Sequence, residues 1–165
     1  MAKKASKPVP EGLHTLTPSL AFNGDCRQAI DFYQKAFGAE VMGRPVPSPD
    51  GKQIWHVMLR LGDSMLMMND AMPMPGTPPF IAGPKGSATA SLWVYVDDCD
   101  QLFKRATAAG CQVVMPMDDA FWGDRTGTLK DPFGHVWSIA TKKWDYTEEE
   151  MQRQMEDALK KMTAR

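Results

Sequence analysis

Two side chains in this chain of 165 residues are suited to move a proton or grip an anion at neutral pH. His56, next to Trp55, is the better proton carrier, because imidazole is the side chain that ordinarily titrates near neutrality. Arg125 stands in Phe121-Trp122-Gly123-Asp124-Arg125. Its planar fork could read an anionic ligand group or pair with Asp118 or Asp119, while Asp124 accepts backbone N–H bonds of the turn. His135, in a Pro-Phe-Gly-His turn, reads as structural. The sequence holds no GxSxG, HExxH, GxxxxGK[ST] or GxGxxG, so it offers no nucleophile elbow, zinc helix or phosphate cradle. His56 and Arg125 are candidates for catalysis without an assigned reaction.

Local metal motifs are also missing. His14, His56 and His135 have no second histidine at i+2 or i+4, and Cys26, Cys99 and Cys111 form no CxxC pair. Three reduced structural thiols are expected. Binding residues are more numerous. Methionines cluster at Met65, Met67, Met68, Met72 and Met74, and four tryptophans, Trp55, Trp93, Trp122 and Trp137, fall in strands or in the Trp122 turn. Flexible thioethers and flat indoles suit an adaptable wall for a planar apolar molecule, and both also fill cores. The expected ligand-binding set is Trp55, Met65, Met67, Trp93, Trp122, Arg125 and Trp137.

Composition narrows the partners. Apolar residues make up 43%, charged residues 24%, and the formal net charge is -1, so no basic field attracts nucleic acid. No apolar run approaches a membrane span, and MAKKASKPVPEG lacks the apolar stretch of a secretory leader, so a cytoplasmic location is expected.

The elements that must position these residues come from a repeat. Residues 24–42, GDCRQAIDFYQKAFGAEVM, match 97–115, DDCDQLFKRATAAGCQVVM: Asp25-Cys26-x-Gln28 aligns with Asp98-Cys99-x-Gln101, and Gly38 with Gly110. Cys26, Ala29, Ile30, Tyr33, Ala36 and Phe37 form one helical stripe, and Cys99, Leu102, Phe103, Ala106 and Ala109 form another. Asp25 and Asp98 are the expected N-caps, Gly38 and Gly110 the C-caps. Strands are expected over 15–22 and 91–96 before the helices, and after each helix. Hairpins follow, 53–61 with 64–68 about Gly62-Asp63, and 127–130 with 135–141 about Asp131-Pro132-Phe133-Gly134. The class is α+β, with tandem βαβββ modules forming a curved, cupped mixed sheet and a C-terminal helix. Residues 1–13 read as a flexible basic tail, 14–68 and 87–142 as the modules and 69–86 as a Pro/Gly-rich linker. Residues 143–165 form an amphipathic helix opened by Thr147 and Glu150 as a capping box. Its stripe of Met151, Met155, Leu159 and Met162 needs a partner surface, within the chain or on a second protomer, and a homodimer is expected.

Ile30-Asp31-Phe32-Tyr33 with Lys35-Ala36-Phe37-Gly38-Ala39-Glu40, then Phe121 to Arg125, then Asp131-Pro132-Phe133-Gly134-His135-Val136-Trp137, resemble the vicinal oxygen chelate superfamily of glyoxalases, extradiol dioxygenases and bleomycin-resistance proteins. The PhnB-like branch is the most similar. The resemblance implies a cavity between the modules and a dimer in which protomers pack or swap modules. In metal-dependent members four ligands lie on the first and fourth strands of the modules. Those places fall here at Pro18 or Ser19, near Met67, at Ser91 and at Ser138. None is His, Glu or Gln, and neither are the neighbours Leu20, Leu66, Met68, Leu92, Trp137 and Ile139. Such donors cannot hold zinc, nickel, iron or manganese tightly, so no metal and no cofactor is expected. Three functional classes stay open: a metal-free protein binding a small apolar or aromatic molecule between its modules, a lyase or isomerase of glyoxalase type, and a dimeric interaction module whose cavity its own side chains fill.

Overall fold

The computed structural model describes residues 7–71 and 82–163. Part of the basic tail, most of the linker and both Met72 and Met74 lie outside the described residues. The chain divides into two compact units, Met1–Lys85 and Gly86–Arg165. The first runs β1 (Ser19–Phe22), α1 (Cys26–Phe37), β2 (Glu40–Pro47), β3 (Ile54–Leu61) and β4 (Ser64–Asp70). The second runs β5 (Ser91–Tyr95), α2 (Cys99–Ala109), β6 (Gln112–Asp119), β7 (Asp124–Lys130) and β8 (Val136–Lys142), followed by α3 (Glu148–Thr163). Both are βαβββ, and the α+β class stands. The strands make two four-stranded mixed sheets, ordered β1-β4-β3-β2 and β5-β8-β7-β6, with the first strand of each unit parallel to the last. No helix among the described residues is long and apolar enough to cross a membrane.

Helical period decides what each helix buries. All six residues of the α1 stripe are buried. They pack with Val57, Leu59, Leu66 and Met68, the residues of β3 and β4 that alternate toward the helix. In α2, Cys99, Leu102 and Ala106 are buried against Leu129, Trp137 and Ile139. Gly38 ends α1 at φ 72, a left-handed conformation that glycine adopts without a Cβ penalty, and its N–H returns to the Gln34 carbonyl. Gly62, at φ 60, takes the first central position of the two-residue turn that sets Leu61 opposite Ser64.

The helix starts differ from expectation in one unit. Asp98 caps α2 as read from the sequence, its Oδ1 accepting the Gln101 N–H at 2.9 Å. Asp25 occupies the equivalent place and its carbonyl receives the Ala29 N–H, but its carboxylate turns back to the Asn23 N–H. Asp70, at the end of β4, takes over. Its Oδ1 accepts the N–H groups of Gly24 and Cys26, and its Oδ2 that of Ile54 at 2.8 Å. β4 therefore continues two residues past Met68, into the expected linker.

Two strand starts also move. β1 begins at Ser19, four residues later than expected, because Pro18 has no N–H to give a ladder and joins only through its carbonyl, which accepts from Met67. β7 begins at Asp124, three residues early, because Asp124 and Arg125 pair with Lys142 and Thr141 on β8. The C-terminal helix opens on the expected capping box: Glu150 Oε2 accepts the Thr147 N–H at 2.9 Å and Thr147 Oγ1 accepts the Glu150 N–H. These bonds hold the Glu150 carboxyl below its ordinary pKa.

Candidate functional site

Each sheet has one face under its helix and one turned away from it, and strand alternation assigns every side chain to one of them. In the first unit the far face carries a cross-strand row of Met42, Met58, Met67 and Ser19. Met65 and exposed His56 lie on the same face. Trp55, 40% exposed, sits where the β2–β3 register slips. The corresponding row in the second unit is Met115, Thr128, Ser138 and Trp93. Met42 answers to Met115, but Met58 and Met67 answer to the hydroxyls of Thr128 and Ser138, and Ser19 to the indole of Trp93.

An aromatic cluster stands on the far face of the second unit. Trp93 stacks on Tyr95 with ring centroids 6.1 Å apart and meets the edge of Trp122 at 6.3 Å, and Phe121 meets Trp122 at 5.0 Å. Trp93 and Tyr95 remain 47% and 59% exposed, so their rings are open to a ligand. Under the cluster lies Asp124, 2% exposed. Its Oδ2 accepts the Tyr95 O–H at 2.9 Å and the Trp122 indole N–H at 2.8 Å. The bond to Asp124 raises the Tyr95 phenol above its ordinary pKa, since ionisation would discard it; desolvation and the Asp124 charge act the same way. Asp124 was expected to accept backbone N–H bonds of its own turn. Its carboxylate instead ties that turn to β5.

The turn is held by backbone approach. The carbonyl of Gly123, at φ 94, accepts from the N–H groups of both Lys143 and Trp144. A Cβ on Gly123 would strike the Trp144 carbonyl. A cleft of about 790 Å³ opens beside it, lined by Trp122 of the turn, by Asp124, Thr126 and Thr128 of β7, by Tyr146, and by Asp157 of α3. All of these belong to the second unit.

Two expected site residues lie elsewhere. Arg125 is on the helix-facing side of β7, where Asp100 of α2 takes its fork through bonds of 2.6 and 2.8 Å, and Asp119 accepts at 3.2 Å. The pairing was expected with Asp118 or Asp119; the nearer partner is Asp100, whose carboxyl Arg125 holds below its ordinary pKa. Trp137 is core, 2% exposed, with its indole N–H donated to Asp131 Oδ2. His56 belongs to the first unit, and Arg125, in the second, turns to the helix side of its sheet, away from the face that carries Trp93 and Tyr95. Tyr95 was missed, although Ser91-Leu92-Trp93-Val94-Tyr95 alternates so that Tyr95 must share a face with Trp93. Nothing local in the sequence marks Asp124 as its partner.

The pairing also relocates one place that the resemblance reserves for a metal ligand. Ser19 lies opposite Met67, and the residue opposite Ser138 is Trp93 rather than Ser91, which pairs with Val136. Neither pair, a hydroxyl with a thioether in the first unit or an indole with a hydroxyl in the second, offers the imidazole and carboxylate donors that hold a divalent ion tightly. Among the described residues no group of three or more His, Cys, Asp or Glu side chains converges as a metal site.

Two βαβββ units, each a four-stranded mixed sheet with its helix on one face, define a two-module α+β protein. The family model described as Glyoxalase/Bleomycin resistance protein/Dioxygenase superfamily matches residues 13–139, and the chain belongs to that superfamily. An uncharacterised protein of Mycobacterium bovis is 41% identical over 141 residues, covering 85% of this chain and 91% of that one. The crystal structure of TioX from Micromonospora sp. ML1 is 28% identical with a TM-score of 0.60, covering 78% of this chain and 98% of the other. The PhnB protein from Bacillus cereus, at 17% identity and a TM-score of 0.59, covers 78% of this chain and 99% of its own and shares the fold.

Proposed function

We propose that the protein binds a small planar, largely apolar or aromatic molecule on the far face of its second unit, without using a metal of the superfamily kind. The observation that carries this reading is the cluster of exposed Trp93 and Tyr95 with half-buried Trp122 beside an open cleft. Large rings left in water are costly unless something covers them, and stacking on them adds to the gain from burial. The hydroxyls of Thr128 and Ser138, 3.4 Å apart, give the floor some polarity without charge. Within the superfamily the motifs from Phe121 to Trp137 favour the PhnB-like, bleomycin-resistance-like branch.

The test is a thermal-shift and tryptophan-fluorescence screen of planar aromatics against the full chain and its Trp122→Ala variant. A binder should raise the melting temperature in proportion to its occupancy and quench emission, and the variant should lose most of both. Met67→Glu, on the first unit's far face, should leave that binding intact. A broad set with no stabiliser, or binding lost in Met67→Glu and kept in Trp122→Ala, would overturn the proposal.

A further inference from the structure

The far face of the first unit carries thioethers on three neighbouring strands. Met42 lies opposite Met58 and Met58 opposite Met67, so β2, β3 and β4 each give one to a single row. Side chains directly opposite across a ladder have Cβ atoms about 5 Å apart, and three rotatable bonds let each methionine swing its sulfur. Three sulfurs so placed can reach one point above Met58. None is locked in the core: Met42 is exposed, and Met58 and Met67 are half-buried, whereas Met68, on the helix side of β4, is fully buried.

A fourth donor stands on the same face. His56 precedes Met58 by two residues on β3, so strand alternation puts both on one side. It is exposed, and its ring is engaged in no hydrogen bond among the described residues. The charged neighbours are occupied with each other, since Arg60, two residues beyond Met58, donates to Glu40 at 2.6 Å. The donor set gives the class of guest. Thioether sulfur is neutral and polarisable and selects soft ions, whereas harder divalent ions take carboxylate and water oxygens. The second unit is the internal contrast, because its equivalent row holds one thioether, Met115, with Thr128 and Ser138 in the next two places.

We infer that the far face of the first unit binds one soft monovalent metal ion of the Cu(I) class through the thioethers of Met42, Met58 and Met67 and the imidazole of His56. All four donors are neutral, so the ion keeps its charge, and the open face lets water share in solvating it. The site does not depend on the aromatic face of the second unit.

Ag(I) is the probe, since it belongs to the same class and needs no reductant. The full chain, carrying 13C-labelled methionine methyls, is titrated with silver nitrate in chloride-free buffer. The methyl resonances of Met42, Met58 and Met67 and the ring resonances of His56 should shift with one dissociation constant and saturate at one ion per chain, while Met68 and Met115 stay in place. Met58→Leu and Met67→Leu keep the apolar volume and the fold, and each should weaken the ion about tenfold or more, against less than about threefold for Met115→Leu. Methyl resonances that do not move, or an affinity unchanged in both Met58→Leu and Met67→Leu, would overturn the inference. So would silver taken up by the buried thiols of Cys26, Cys99 and Cys111 alone, read as a loss of titratable thiol with the methyls unmoved.

Discussion

The two units solve one structural problem with different chemistry. In each, the last strand must reach the first turn of the helix and receive an N–H that the helix cannot satisfy. Asp70 does this for Cys26, and Thr141, 71 residues later, does it for Cys99 at 3.0 Å. The carboxylate collects three N–H groups; the hydroxyl accepts one and donates to the Val96 carbonyl. The first unit thus spends its buried charge on its own corner. Freed from that duty there, the second unit places carboxylates elsewhere: Asp131 closes the β7–β8 turn by accepting from Phe133 and His135, and Asp124 sits under the exposed aromatic face. The far faces divide in the same way, methionines against hydroxyls and rings. The repeat keeps the frame, and the bare face is where the copies differ.

Removing the corner acceptors should have the largest effect. Asp70→Ala strands the buried N–H groups of Cys26 and Ile54 and should cost about 3 kcal/mol or more in urea unfolding, whereas Thr141→Val should cost about 1 kcal/mol. Amide exchange should localise the damage. Cys26 and Ile54 should lose protection in the first variant with Cys99 unchanged, and the reverse should hold in the second. Equal losses in both would erase the proposed contrast.

Gly51 holds the equivalent turn of the first unit, also at positive φ but with open space where a Cβ would stand, so the collision made by Gly123→Ala belongs to the second unit alone. The positive φ and the collision with the Trp144 carbonyl together should cost about 2 kcal/mol and disturb the turn that carries Trp122 and Asp124. The loss should appear as weaker binding of planar probes as well as a lower unfolding midpoint. A smaller, alkaline effect concerns the thiols. Burial pushes Cys26 and Cys111, one in each unit, up to about 12, with Asp70 and Asp131 adding to the rise. A raised pKa favours the folded state fully at lower pH. That stability is lost as pH climbs from about 9 toward 12, where unfolded thiols ionise and folded ones do not. Thiol reagents at pH 8 should therefore modify both cysteines no faster than the protein opens. Chelation should do least: EDTA treatment followed by dialysis should leave the melting temperature within about 1 °C, as the pairs Ser19 with Met67 and Trp93 with Ser138 imply.

Much of the frame is legible in the sequence because period and capping are local. The six-residue stripe of α1, the glycine stops and the Thr147–Glu150 box each depend on residues within a few positions. What escapes depends on pairing. Asp25 looks like a cap until the parallel register of β1 and β4 brings Asp70 beside the helix start, 44 residues from Cys26 in the chain. Asp124-Arg125-Thr126 reads as a turn from its polar residues, yet β8 continues to Lys142 and draws it into a strand. The candidate site divides likewise. Trp93 and Trp122 are visible by type and Tyr95 by alternation, whereas the role of the Asp124 carboxylate emerges only once Tyr95, 29 residues away, is set against it.

The central claim is that aromatic ligands meet the second unit's aromatic face and not the methionine face of the first. Indole N–H resonances in a two-dimensional NMR titration with a planar aromatic from the thermal-shift screen report this side chain by side chain. The account predicts that Trp122 and Trp93 shift with the same dissociation constant, while Trp55 and the buried Trp137 stay in place. Saturable shifts at Trp55 and the Met67 methyl, with Trp122 unmoved, would contradict it.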